Sequence, residues 1–237
     1  MSIFAPVTLF RVQIYFADMR YDTVIWDMDG TLLNTLDDLH LAVNHALCVH
    51  GFQLREREEV RRLLGNGVKK LVAGVVPGGE DNVRFSEVLS TFKSYYVEHC
   101  RDNTRPYDGI PETLYVLKQM GVRMAVVSNK LQAGVDELYD AHFRDTIDVA
   151  VGERPGMARK PAPDMVRLAL QELGADAAAR AVYIGDSEVD LATARNSALD
   201  CISVTWGFRD REWLVSQGAV MLADSPADIV DLISAGQ

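Results

Sequence analysis

Short apolar runs alternate with amphipathic stretches over most of the chain. Thr23–Met28 (TVIWDM), Val122–Ser128, Ile147–Val151, Ala181–Gly185, Cys201–Trp206 and Ala219–Ala223 read as strands. The four between Val122 and Trp206 are near-continuous apolar runs, the pattern of strands buried on both faces of a parallel sheet. Helical periodicity fills the intervals at Pro111–Met120, Gln132–Tyr139, Pro163–Leu173, Val189–Asn196, Glu212–Gln217 and Pro226–Ser234. Pro111 and Pro163 fit first-turn positions, and Gly121 and Gly174 fit C-terminal stops. Strand–helix alternation of this kind predicts an α/β fold with a doubly wound, mostly parallel sheet.

One region breaks the rhythm. Between Thr35 and Arg105 no strand pattern occurs, and LDDLHLAVNHALCVHGF, REEVRRLLGNGVKKLVAGVV and NVRFSEVLSTFKSYYVEHC are amphipathic and helical, the second interrupted at Gly65–Asn66–Gly67. The expected organisation is a Rossmann-like core formed by 19–34 and 106–237, with a helical insertion over 35–105. The insertion is either a helical excursion packed on the core or a lid over the strand ends, where open α/β sheets bind ligands. Residues 1–18 are apolar but interrupted by Arg11, Gln13 and Asp18; they lack the basic start of a signal peptide and read as an extension before Met19.

Composition narrows the function classes. At 237 residues the chain is long enough for one large domain or a core plus a smaller one. A formal net charge of −10 argues against binding nucleic acid, which needs a basic surface, but leaves room for a small anion in a local basic pocket. No apolar stretch is long enough to span a membrane. Cys48, Cys100 and Cys201 are odd in number and widely spaced, which favours reduced thiols and a cytoplasmic setting over a disulfide framework or zinc site.

The candidate chemistry sits at strand ends. Asp27 and Asp29 are two apart on an extended segment, so both point to one side and repel unless a cation or proton lies between them. A divalent ion with oxygen ligands answers that need. Gly30 permits a tight backbone path, and Thr31 adds a hydroxyl and an N–H. A calcium-binding loop is excluded, because its sixth position must be glycine and here it is Leu32. Ser128–Asn129–Lys130 (SNK) ends the second strand; a hydroxyl beside a helix start suits phosphate, although Ser and Asn there also serve as ordinary caps. Lys160, within RKPAP, is a constrained ammonium able to neutralise a phosphoryl oxygen. In GDSEVD, Asp186 fits a helix N-cap, with Asp190 one turn later on the same side.

DMDGTLLNT, SNK, RKPAP and GDSEVD, in this order on these elements, resemble the four motifs of the haloacid dehalogenase-like hydrolases, from about residue 20 to the end. The helical insertion resembles that family's α-helical cap. LLGNGVKKL, RPYDGI and VTWGF resemble its phosphoglycolate phosphatase-like branch. The resemblance implies a Mg²⁺-dependent phosphatase of small phosphorylated metabolites. Asp27 would be the nucleophile, forming an aspartyl-phosphate, and Asp29 the acid and then the base. The metal would be held by Asp27, the Asp29 carbonyl and Asp186, with Asp190 behind them or acting through water. The phosphoryl group would be bound by Gly30, Thr31, Ser128, Asn129 and Lys160. Asn34 departs from the aspartate common in relatives at the entry to the cap, a position where it can still cap the first helix.

Phosphoglycolate is the leading candidate substrate. A phosphomutase of the β-phosphoglucomutase type, a pyrophosphatase or nucleotidase, and a non-catalytic phosphometabolite-binding protein are the alternatives. Substrate choice is expected to lie in the cap, with Asn66, Lys69 and Lys70 as the residues able to reach down; Lys69 and Lys70 are adjacent, so a helix directs at most one of them inward.

Overall fold

The computed structural model describes residues 19–175 and 179–234; the expected extension over 1–18 lies outside them. In chain order the elements are β1 (Thr23–Trp26), β2 (Leu33–Asn34), α1 (Leu36–Val49), α2 (Arg57–Leu63), α3 (Val68–Val75), a 3₁₀ turn at Gly79–Asp81, α4 (Phe85–His99), β3 (Arg105–Pro106), α5 (Ile110–Gln119), β4 (Arg123–Leu131), α6 (Gln132–His142), β5 (Val149–Glu153), α7 (Asp164–Glu172), β6 (Ala181–Gly185), α8 (Glu188–Asn196), β7 (Asp200–Val204), α9 (Arg211–Ser216), β8 (Met221–Ala223) and α10 (Pro226–Ser234).

The main sheet is six-stranded in the order β5-β4-β1-β6-β7-β8. Every pairing in it is parallel. The middles of its strands are apolar because alternate residues feed separate cores. Val24, Trp26, Met124, Val126, Val182 and Ile184 face one layer with α5 and α10. Ile25, Ala125, Val127 and Tyr183 face the other, against Met165, Val166 and Ala169 of α7 and Ala194 of α8. The winding reverses at β1: the chain moves to β4 and β5 on one side, then returns to β6 on the other. Such a reversal opens a crevice beyond the carboxyl ends of the strands.

Strand existence follows the sequence pattern; strand ends do not. SNK lies inside β4, which runs on to Leu131 through an irregularity between Val127 and Leu131, and α6 begins only at Gln132. Leu131 pairs with Glu153 of β5, which prolongs the extended segment. Ser128 is therefore not at a helix start.

The insertion leaves and re-enters through β2 and β3, an antiparallel two-stranded ribbon pairing Leu33 with Pro106 and Asn34 with Arg105. Asp38 in the first turn of α1 fastens the two linkers. It is buried and accepts hydrogen bonds from the Asn103 amide N–H (3.0 Å) and Nδ2 (2.8 Å) and from the Thr104 N–H and hydroxyl (both 2.8 Å). Asn34 Oδ1 accepts weakly from the Leu36 N–H (3.4 Å). Helices α1–α4 enclose a separate core around Leu47, Val60, Leu71, Val72 and Phe92, and Phe208, from the loop after β7, plugs into it. The three cysteines are free, and no helix among the described residues is long and apolar enough to cross a membrane.

Candidate active site

The turn after β1 is built around Asp27. Its N–H donates to the Ile184 carbonyl (2.8 Å), carrying the β1–β6 ladder one residue past Trp26 and fixing the backbone beneath the carboxylate. The chain then folds back: the Leu32 and Leu33 amides donate to the Met28 carbonyl (3.0 and 2.9 Å), and the Gly30 amide to Leu33 (2.8 Å). Gly30 has φ +88°, and a β-carbon there would lie 2.4 Å from Asp186 Oδ2. Only glycine permits both the left-handed backbone and that approach. The WGF segment, Trp206–Phe208, closes over the turn. The Trp206 indole donates to the Thr31 carbonyl (3.0 Å), and the Phe208 N–H donates to Asp186 Oδ2 (2.6 Å).

Asp27 after β1, Asp186 after β6 and Asp190 in the first turn of α8 converge, with one carboxylate oxygen of each within 4.8 Å of the others, and all three are buried. Lys160 balances part of this charge. Its Nζ donates to Asp27 Oδ1 (2.7 Å), Asp190 Oδ1 (2.9 Å) and the Tyr183 hydroxyl (2.9 Å). The Thr31 hydroxyl donates to Asp186 Oδ1 (3.3 Å). Asp190 Oδ2 accepts from the Ser187 N–H (3.1 Å) and hydroxyl (2.7 Å). Ser187 is the N-cap of α8, so Asp186 precedes the cap that the sequence assigned to it; extended backbone at Ser187 starts the helix one residue later.

The charges are mismatched without a cation. Burial pushes the Asp27 carboxyl well above the ordinary carboxylate range; Asp190 and Asp186 push it further, against the pull of Lys160. Burial, reinforced by Asp190, raises Asp186 to about 7 despite the Phe208 N–H. Lys160 is disfavoured as a charge by burial, yet Asp190 and Asp27 outweigh this and raise its pKa well above the lysine value. Three buried carboxylates facing one ammonium, with oxygen the only donor, suit a hard divalent cation.

Asp29 has a lysine of its own. Lys130 Nζ lies 3.1 Å from Asp29 Oδ1 and donates to the Tyr96 hydroxyl of α4. Burial disfavours the Lys130 charge, but Asp29 and Tyr96 overcome it and raise the pKa. SNK thus brings Lys130 to the pocket besides Ser128 and Asn129. Its only signal in the sequence is that a lysine stands in an otherwise buried strand.

The remaining predicted residues divide. Ser128 lines the pocket with Asp27, Asp29 and Lys160. Asn129 is buried there too, but its Nδ2 is committed to the carbonyls of Gly65 (3.3 Å) and Lys160 (3.2 Å), tying the Gly65 loop of the insertion to the core. Gly65, Gly67, Val68 and Leu71 form the cap side of the pocket. Asn66, Lys69 and Lys70 are not brought to it. All three are exposed, and the two ammonium groups sit 2.6 and 3.2 Å from Glu80, whose carboxylate the 3₁₀ turn carries to their side of α3. Arg209, which the sequence left unremarked, is gripped by Glu188 (2.9 and 3.2 Å) and donates to the Leu64 carbonyl (3.0 Å) and Arg61 carbonyl (3.4 Å) at the end of α2.

The family model for haloacid dehalogenase-like hydrolases matches residues 24–204, which span β1 to β7 and every carboxylate and lysine described above. The chain belongs to the haloacid dehalogenase-like hydrolases. Among these hydrolases it is 30% identical over 222 residues to N-acetylmuramic acid 6-phosphate phosphatase of Pseudomonas aeruginosa, covering 91% of this chain and 96% of that one. It is likewise 30% identical over 211 residues to phosphoglycolate phosphatase of Aquifex aeolicus, covering 89% and 95%. A crystal structure from Lactobacillus delbrueckii subsp. bulgaricus, described only by inference as a phosphoglycolate phosphatase, superposes with a TM-score of 0.85 at 37% identity, covering 90% of this chain and 98% of that one. The protein is a hydrolase of the phosphatase type with phosphoglycolate phosphatase-like relatives, acting on phosphoric monoesters.

Proposed function

We propose that this haloacid dehalogenase-like hydrolase cleaves small phosphorylated metabolites through a phosphorylated Asp27, with phosphoglycolate the leading candidate and N-acetylmuramic acid 6-phosphate beside it. The observation that carries this is the arrangement of two acids with separate lysines: Asp27 against Lys160, and Asp29 against Lys130, at the lip of one pocket. Residues 35–105 act as the cap and 19–34 with 106–237 as the catalytic core.

In this reading an Asp27 oxygen attacks phosphorus, and the ester oxygen leaves with a proton from Asp29. Asp29, now a carboxylate, takes a proton from water as the water attacks the aspartyl-phosphate, which frees phosphate and restores Asp27. Lys160 holds Asp27 Oδ1 and offsets charge on the transferring group. Ser128 lies where the phosphoryl oxygens need donors, and Asn129 shapes that wall; the predicted phosphate contacts at Gly30 and Thr31 do not form here, because the Gly30 N–H is spent on the Leu33 carbonyl and the Thr31 hydroxyl on Asp186. Asp27, Asp186 and the Asp29 carbonyl would hold Mg²⁺, Asp190 supporting them from behind. The metal's contribution is to neutralise phosphate charge so that an anionic carboxylate can approach it.

The test is phosphate release from a panel containing phosphoglycolate, N-acetylmuramic acid 6-phosphate, nucleoside monophosphates, pyrophosphate and glucose 1-phosphate, with Mg²⁺ and with chelator. Turnover should vanish in Asp27→Asn, which should remain folded, and should collapse with chelator. Undiminished turnover in Asp27→Asn would refute the nucleophile. Isomerisation of glucose 1-phosphate without net phosphate release would identify a mutase instead.

A further inference from the structure

We infer that Lys130 is a positioning residue for Asp29 and that the cap supplies the group that sets it, the hydroxyl of Tyr96. This rests on the reading of Asp29 as the proton-transfer group. Three elements meet in one buried chain of contacts: the turn after β1 carries Asp29, β4 carries Lys130, and α4 of the cap carries Tyr96. Lys130 and Tyr96 are both buried. A lysine is rarely placed out of water without a dedicated partner. Here Nζ is 3.1 Å from Asp29 Oδ1, donates to the Tyr96 hydroxyl and stands 4.6 Å from the centre of the same ring. The hydroxyl constrains the ammonium, leaving Asp29 as the acidic end of the chain.

The surroundings are cut to this side chain. A β-carbon on Gly134 would lie 3.2 Å from Lys130 Cδ, so the glycine leaves space for the lysine stem. Just past the end of α4, Arg101 pairs with Glu137 of α6 (3.0 Å), so the segment that follows Tyr96 also touches the core. Asp29 is the least buried of the three, and Lys130 shares its pocket with Asp27 and Ser128. Asp29 is therefore aimed only when α4 is seated. Departure of the cap would take Tyr96 away and free Lys130 to swing, so proton transfer is competent chiefly beneath a closed cap. The consequence for the reaction is that water entering an open site meets a misaligned base.

The experiment compares an alkyl with an aryl phosphate. Phosphoglycolate, or whichever alkyl phosphate of the panel turns over fastest, has a leaving oxygen that needs a proton; p-nitrophenyl phosphate has one that leaves without it. Because kcat/KM reports events up to departure of the leaving group, it isolates donation by Asp29. Lys130→Met should lower kcat/KM for the alkyl ester about 100-fold and Tyr96→Phe about 10-fold, with p-nitrophenyl phosphate changed by less than about 3-fold in each. Tyr96→Phe keeps the ring and the packing, so it guards against loss of fold. Equal losses on both esters in both variants, or a change confined to KM, would overturn the inference. Asp29→Asn is the control: if it spares the alkyl ester, the role of Asp29 falls and the inference with it. If Asp29→Asn discriminates between the esters while Lys130→Met and Tyr96→Phe do not, the inference alone falls.

Discussion

Gly30 concentrates in one residue what the site demands of the chain. Its φ of +88° is unfavourable for any side chain, and its missing methyl is the space occupied by the Asp186 carboxylate and the Phe208 ring. Gly30→Ala would therefore add backbone strain of about 1–3 kcal/mol. It would also push Asp186 away from the Phe208 N–H that holds it at 2.6 Å. Turnover should fall sharply, and the urea midpoint should drop by an amount matching that strain. A variant with native turnover would mean that Asp186 has room to retreat. This residue was legible in the sequence, since a glycine directly after two strand-end acids marks a tight turn where the backbone must pass close to a ligand. Lys130 was not: the alternation rules that identify a buried strand assume apolar side chains and are silent on a cation paired within it. Lys69 and Lys70 misled for the converse reason. Their partner Glu80 lies ten residues beyond Lys70, across a turn whose geometry leaves no periodic trace.

At the scale of elements, the six sheet strands and the flanking helices followed from the apolar pattern because burial on both faces writes itself into the middle of each strand. The two-residue strands β2 and β3 did not, being too short to show a period, yet they carry both linkers of the insertion. Their stability depends on a carboxylate that composition alone would place in solvent. Asp38 satisfies four donors, two on buried Thr104 and two on exposed Asn103. Asp38→Ala would leave the two buried Thr104 donors unpartnered and should destabilise the protein by about 3 kcal/mol. Asp38→Asn, which keeps one carbonyl acceptor, should cost less. Amide exchange at the start of α1 and at 103–106 should accelerate before that of the main sheet. Uniform acceleration over the whole chain would instead show that the ribbon and the sheet open as one unit.

For the whole molecule, the decisive join is between two cores that the sequence shows as separate and the structure links through the site. Phe208 belongs by sequence to the loop after β7, and by packing to the interior of the cap, where it is 5% exposed. Its own N–H binds Asp186, and its ring lines the pocket beside Leu39 and Leu64. The next residue, Arg209, carries the same junction outward by binding the carbonyls at the end of α2. Truncation to Phe208→Ala retains the backbone donor to Asp186 and removes only the plug. Loss of a buried aromatic ring of this kind costs about 3–5 kcal/mol. The cost should fall unevenly, since the sheet cores do not contain this ring. The expected outcome is faster amide exchange across α1–α4, little change in β1, β4 and β6, and a lowered kcat/KM, because the carboxylates keep their places while the insertion is held less firmly against them. Should exchange quicken equally in sheet and cap, the two cores would form one cooperative unit, and Phe208 would be a core residue like any other. An unequal response would establish that the ring is the physical tie by which the insertion's own fold is referred to the strand-end carboxylates.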